Sequence, residues 1–151
     1  MKAQEIPAYR YKWSAFERDV KKLCKRIDFS NYDILCGIAV GGLPLLTKLV
    51  NKTKKSYIIV MCRSYEDRVQ KDLFIHLNFS PSLTLSGKRI LAVDDVADSG
   101  KTLKGVTKEL MDRGAASVET LTLFYKLQSV IVPEWYVHEV ENHQWINFPW
   151  E

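Results

Sequence analysis

The segment ILAVDDVADSGKT, Ile90 to Thr102, constrains this 151-residue chain more than any other. Ile90 to Val93 is a short apolar run ending in Asp94 and Asp95, and with Arg89 it reads as a buried strand. Asp98-Ser99-Gly100-Lys101-Thr102 then leads into Leu103–Arg113, whose spacing predicts a helix with Gly114 at its C-cap. Buried strand, polar turn, helix is the building unit of an open α/β sheet. Asp94, Asp95 and Asp98 crowd three carboxylates into one turn. Such carboxylates repel one another and are tolerated where cations, hydroxyls or metal compensate them. The DSGKT tail brings backbone N–H groups and hydroxyls to a helix N-terminus, a setting that suits a phosphate. Acidic groups can hold sugar hydroxyls or Mg²⁺, so a sugar phosphate satisfies both halves of the turn. The GKT triplet also occurs in Walker A loops, but that motif needs a glycine where Asp95 stands.

The remainder of the chain alternates strand and helix signals. Ser14-x-x-Glu17 reads as a capping box, and Phe16, Val20, Leu23, Cys24 and Ile27 follow at helical spacing. Asp33–Val40 is an apolar strand ended by Gly41 and Gly42, and Leu43–Val50 reads as a helix. Tyr57–Cys62 is a β-branched strand, Arg63–Asp72 a long exposed polar loop, and Leu73–Phe79 a half-buried strand. Beyond a turn at Pro81 and Gly87, further strands are expected at Val118–Tyr125 and Trp135–Val140. The pattern predicts one α/β domain over residues 1–151, with a mostly parallel twisted sheet of about five strands flanked by helices. Ligands of such sheets bind beyond the carboxyl ends of the strands. That directs attention to the residues after Val40, Cys62, Val93 and Tyr125.

Composition narrows the function classes. No apolar run approaches the ~20 residues of a membrane span, and MKAQEIPAYRYKW lacks the apolar core of a secretory signal. Cys24, Cys36 and Cys62 are an odd count without metal-type spacing. Reduced thiols and a cytoplasmic location are expected. A net charge of +4 from dispersed basic residues favours an anionic small molecule over nucleic acid. His76, His138 and His143 show no metal spacing and read as surface or strand residues.

The Ile90–Thr102 segment resembles the phosphoribosyl pyrophosphate (PRPP) signature of the type I phosphoribosyltransferases: apolar strand, two acidic residues, two small or apolar residues, Asp, small residue, Gly, any residue, Thr. The resemblance implies that Asp94 and Asp95 face the ribose 2′- and 3′-hydroxyls, partly through Mg²⁺. It further implies that Asp98, Ser99, Gly100, Lys101 and Thr102 wrap the 5′-phosphate. In the purine-specific branch the aspartate matching Asp98 lies near N7 of the base and exchanges its proton. Val40-Gly41-Gly42 matches the family's pyrophosphate loop, and paired glycines let backbone amides approach a ligand. Val40 stands where bacterial relatives commonly carry Arg, so Lys48, Arg63 or a second Mg²⁺ would have to supply that charge. Arg63-Ser64-Tyr65 matches the mobile lid, which would shield a developing ribosyl cation from water.

Two further matches concern the base. Lys126 follows the strand LTLFY where 6-oxopurine enzymes carry the lysine that donates to O6. An ammonium has donors only, which favours a 6-oxo over a 6-amino group. The ending Trp145-Ile146-Asn147-Phe148-Pro149-Trp150 resembles that of bacterial xanthine-guanine phosphoribosyltransferases. There the first tryptophan stacks on the purine and the next backbone reads its 2-position, places held here by Trp145 and Ile146. Asn147 stands at a position that is often Glu, and Pro149 and Trp150 read as packing or subunit-contact residues.

The function implied is Mg²⁺-dependent transfer of phosphoribose from PRPP to guanine, xanthine or hypoxanthine. A homo-oligomer, dimer or tetramer, is expected. So is a small hood built from about residues 1–12 and 127–151. The alternative is a non-catalytic sensor of PRPP or nucleotide on the same fold.

Overall fold

The central strands are buried in continuous runs, their successive side chains point to opposite faces of the sheet, and each face has its own core. The computed structural model describes residues 6–67, 70–78 and 83–151, leaving out the side chains of residues 63–67, 70–74 and 78. The strands are β1 (Tyr9–Arg10), β2 (Ile34–Ala39), β3 (Ser56–Asp67), β4 (Gln70–Asn78), β5 (Arg89–Ala97), β6 (Ser117–Lys126), β7 (Trp135–Val140) and β8 (Ile146–Asn147). The helices are α1 (Trp13–Arg26), α2 (Leu43–Thr53) and α3 (Lys101–Asp112), with a 3-10 turn at Phe29–Asn31.

Among the described residues, six strands form the main sheet in the order β4-β3-β2-β5-β6-β7. All neighbours are parallel except β3 and β4. One face carries Leu35, Leu91, Val93, Leu121 and Leu123, packed with Phe16, Val20 and Leu23 of α1 and Leu45, Leu46 and Leu49 of α2. The opposite face carries Ile34, Cys36, Ile38, Ile90 and Ala92, packed with Leu103, Val106 and Leu110 of α3. The period-2 alternation of strands meeting the 3.6-period stripes of helices produces these three layers.

Three local expectations are corrected. Helix α1 begins at Trp13, and its N-cap is Lys12 without a side-chain cap hydrogen bond, so Ser14-x-x-Glu17 is not a capping box. The described part of the expected loop Arg63–Asp72 is strand, because β3 runs on to Asp67 and pairs antiparallel with β4 from Gln70. Main-chain pairing satisfies a two-stranded ribbon whatever its side chains, so polarity there did not mean absence of strand. Finally, β5 continues through Ala97 and α3 starts at Lys101, so the acidic pair stands on a strand end and Lys101-Thr102 opens the helix. Gly114 follows α3 at φ +97° with its N–H bonded to the Met111 carbonyl, as a helix-ending glycine should.

The short ribbon of β1 and β8 joins the two ends of the chain. Tyr9 N–H donates to Trp145 O at 2.8 Å and Tyr11 N–H to Asn147 O at 3.0 Å. Tyr11 Oη donates to the buried Asp19 at 2.7 Å, and His138 Nε2 lies 2.6 Å from the same carboxylate oxygen. Burial, together with that hydrogen bond, pushes the Tyr11 phenol well above its usual range. His138 therefore ties β7 to α1 and β1, a role that its isolated position in the sequence did not suggest.

Candidate active site

Parallel pairing of β2 with β5 sets the carboxyl ends of both strands side by side. The loop after β2 consequently lies against the acidic pair. A Cβ on Gly41 would overlap the Asp95 carboxylate, coming 2.6 Å from its Cγ. One on Gly42 would overlap the Val93 carbonyl and come 3.1 Å from Asp94 Cα. Both glycines are required for this contact, whichever ligand their amides serve. The peptide joining Ala39 to Val40 is cis, and the Val40 side chain is 78% exposed. Lys48 is engaged in an ion pair with Glu17.

Asp94 and Asp95 are half-buried. Asp95 N–H donates to Asp94 Oδ1 at 2.8 Å, and Val96 N–H to Asp95 Oδ1 at 2.7 Å. Desolvation first, and the adjoining Asp95 charge second, push the Asp94 carboxyl well above the usual carboxylate range. Desolvation likewise raises Asp95. Such a pair gains most from a cation or from hydroxyl donors in front of it. Burial and the nearby Asp94 raise the Cys62 thiol to about 11, so it is protonated at neutral pH and no nucleophile.

The turn at Asp98–Thr102 forms a small cavity of about 80 Å³ lined by Asp94, Asp98, Ser99, Gly100 and Thr102 among others. Gly100 caps α3 at φ +79°, a left-handed conformation costly for any residue with a Cβ. A Cβ there would also come 2.9 Å from Ile131 Cγ2 and 3.0 Å from Val130 N. Val130 N–H in turn donates to Ser99 O at 2.8 Å. The first turn of α3 leaves N–H groups without intrahelical acceptors, and the helix dipole adds positive potential at the same place.

Asp98 is exposed, and two donors hold it. Lys126 Nζ lies 3.1 Å from Oδ2 and Gln128 Nε2 lies 2.5 Å from Oδ1. Lys126 itself is only 6% exposed, so its ammonium is fixed at the end of β6. Gln128 N–H also donates to Asn142 Oδ1 at 2.7 Å. Trp145 is 62% exposed, and its indole N–H donates to Asn147 Oδ1 at 2.9 Å. Ile146 turns its side chain into the core beside Phe124 and Phe148.

A family model described as the phosphoribosyl transferase domain matches residues 11–151. The chain belongs to that family. The phosphoribosyltransferase chain is also 26% identical over 140 residues to the xanthine-guanine phosphoribosyltransferase of Chromohalobacter salexigens, covering 92% of this chain and 81% of that protein. It is 32% identical over 101 residues to the hypoxanthine-guanine phosphoribosyltransferase of Streptococcus pneumoniae, covering 66% of this chain and 56% of that one. Among solved structures, the purine phosphoribosyltransferase from Pyrococcus horikoshii superposes with a TM-score of 0.84 at 27% identity, covering 97% of this chain and 95% of that one. The resemblance drawn from Ile90–Thr102 and the α/β fold it implied are borne out.

Within this phosphoribosyltransferase, the residues singled out in the sequence fall into groups. Gly41, Gly42, Asp94 and Asp95 are in mutual contact. Asp98, Ser99, Gly100 and Thr102 line one cavity that Asp94 also reaches, and Lys126 touches Asp98. Lys101, the first residue of α3, donates its N–H to Ser99 Oγ at 3.3 Å. The side chains of Arg63, Ser64 and Tyr65 lie outside the described residues, and their backbone belongs to β3. Trp145 and Ile146 are not in contact with this group among the described residues: Trp145 bonds Asn147 and Tyr9, and the nearest link is from Asn142, three residues before Trp145, to Gln128. Sequence reasoning missed Gln128, Asn142 and the Ser129–Ile131 backstop behind Gly100. None belongs to a motif, and only their place just past the ends of β6 and β7 could have drawn notice. Two larger grooves, of about 730 and 590 Å³, lie away from the Asp98–Thr102 turn: the first along β1 and β8, the second between α1 and α2 and lined in part by Val40.

Proposed function

We propose that this phosphoribosyltransferase transfers the phosphoribosyl group of PRPP to a 6-oxopurine, giving the nucleoside 5′-monophosphate and pyrophosphate. The observation that carries the reading is the contact between Lys126 and Asp98 beside the Ser99–Thr102 turn. A donor-only cation and a carboxylate meet at the rim of a phosphate-sized cavity. A purine with O6 and an adjacent N7 needs one donor and one proton-exchanging group at that separation. The names of the relatives support a purine acceptor. A non-catalytic sensor would bind PRPP with the same turn, but it would have no use for a proton-exchanging Asp98.

In the proposed reaction the bond from C1′ to the pyrophosphate oxygen breaks and a bond from C1′ to the purine nitrogen forms. Backbone N–H groups of Ser99–Thr102 hold the 5′-phosphate, and Asp94 and Asp95 accept hydrogen bonds from the ribose diol. Their negative charge opposes the positive charge developing on the ribose. Asp98 takes the proton the purine must lose. Lys126 and the Trp145 face orient the base, which is a proximity effect. Gly41 offers its backbone amide to the departing pyrophosphate, while the Gly42 N–H is held by the Ile38 carbonyl at 2.8 Å and tightens the turn.

Mg²⁺ fits the acidic pair. Two desolvated carboxylates with raised proton affinity favour a hard cation in front of them. Among the described residues no cluster of three or more metal-binding side chains exists. Two protein carboxylates plus water and substrate oxygens is a usual Mg²⁺ arrangement. Asp94 and Asp95 would hold the ion, and it would supply positive charge against the ribose and pyrophosphate oxygens.

The reading is tested by incubating the chain with PRPP, Mg²⁺ and one base at a time, then resolving products by chromatography. Guanine, hypoxanthine or xanthine should yield a monophosphate, and adenine far less. Product from adenine alone, or from none of the four, would contradict it.

A further inference from the structure

We infer that Gln128 is a positioning residue for Asp98 and couples it to the segment carrying Trp145. This rests on the transfer reading above. Asp98 is exposed on a turn, where a lone carboxylate rotates freely. Here each oxygen has its own donor: Lys126 Nζ at 3.1 Å on Oδ2 and Gln128 Nε2 at 2.5 Å on Oδ1. Both donors leave from the same place, the end of β6 and its next turn. Two donors on separate oxygens fix the plane of the carboxylate, and each oxygen keeps a lone pair for the base.

The choice of an amide matters chemically. A neutral N–H donor favours the ionised carboxylate without adding a second positive charge. Lys126 has three donors, so it can serve O6 of a purine and Asp98 together. Gln128 then holds Oδ1 whether or not a base is present. Its main chain does separate work. The Gln128 N–H donates to Asn142 Oδ1 at 2.7 Å, three residues before Trp145. One residue thereby grips the proton-exchanging group with its side chain and the base-stacking segment with its backbone. A shift of either is felt by the other.

The test compares the parent chain with Gln128→Ala, Gln128→Glu and Asn142→Ala in steady-state kinetics across pH. Gln128→Ala should lower kcat/KM for the purine about tenfold and leave KM for PRPP within twofold. The acidic limb of its pH profile should move to higher pH, because the ionised form has lost a donor. Gln128→Glu should move that limb further, since it sets a second carboxylate against the first. Asn142→Ala keeps the side-chain donor, so it should lower kcat/KM for the purine with the limb unmoved. An active parent whose acidic limb stays in place in both Gln128 variants overturns this inference alone. A parent that makes no nucleotide overturns the transfer reading and this inference with it.

Discussion

Asp98 and Lys126, 28 residues apart in the chain, meet at 3.1 Å between the phosphate turn and the end of β6. The carboxylate comes from the exposed turn and the ammonium from a nearly buried strand end. In the proposed transfer, this fixed cation beside an accessible carboxylate serves proton exchange rather than holding the fold together. Solvent reaches the carboxylate half of the pair and screens it, which limits what the pair contributes to stability.

Asp98→Asn should therefore act on turnover. The amide keeps the shape and removes the proton acceptor, so kcat should fall at least about 100-fold. Binding of PRPP, measured by calorimetry, should weaken no more than about threefold. Equal turnover in the two proteins would remove Asp98 from the chemistry.

Lys126→Met should act on base choice. The thioether chain fills the buried space but donates no hydrogen bond. In competition between hypoxanthine and adenine, the preference for the 6-oxo base should fall about tenfold or more. A preference unchanged in the variant would mean that O6 is read elsewhere.

Asp94→Asn should trade function for stability. The folded protein holds a proton on Asp94 at pH values where the unfolded chain has lost it. The folded state then binds more protons than the unfolded one, so this group makes stability fall as pH rises from the ordinary carboxylate range through its raised value. In the ligand-free protein, Asp94→Asn should raise Tm near pH 7.5 by about 2–4 °C, and the gain should vanish near pH 4. The same variant should lose PRPP binding. A Tm difference that is constant with pH would show that ionisation of Asp94 is not the cause.

Gly41→Ala introduces a methyl group where the Asp95 carboxylate lies, while the backbone there needs no special φ. Its main effect should be displacement of Asp95, read as roughly tenfold weaker PRPP binding at nearly unchanged Tm. Gly100→Ala differs, because φ is +79° and Val130 N and the Ile131 side chain crowd the site. It should cost about 1–2 kcal/mol for the left-handed backbone alone, seen as a lower midpoint in urea. Were Gly41→Ala to bind PRPP like the parent, the glycine loop would not be shaping the acidic pair.

How much of this was legible depended on how local each feature is. The DSGKT turn is contiguous, so strand, acidic pair and helix start could all be read from one stretch. Glycines at 41 and 42 were visible as a pair, but their contact with Asp94 and Asp95 follows only from the adjacency of β2 and β5. Arg63–Asp72 was read as loop because polar residues fit a paired ribbon as well as a coil. Ser14 was read as a cap because the motif is short, and the N-cap instead lies two residues earlier, at Lys12, with no side-chain cap. Gln128 and the Asp19–His138 contact carried no pattern. Each depends on elements that lie far apart in sequence, β6 with the Asp98 turn and β7 with α1, and single-residue chemistry gives no sign of such meetings.

The proposed function requires one turn to grip both ends of a ribose phosphate. A crystal structure with a bound 6-oxopurine nucleoside 5′-monophosphate tests this most directly. The phosphate should sit on the amides of Ser99–Thr102, with the ribose hydroxyls at Asp94 and Asp95 and the base beside Lys126. A nucleotide bound in either larger groove, with the turn empty, would contradict it.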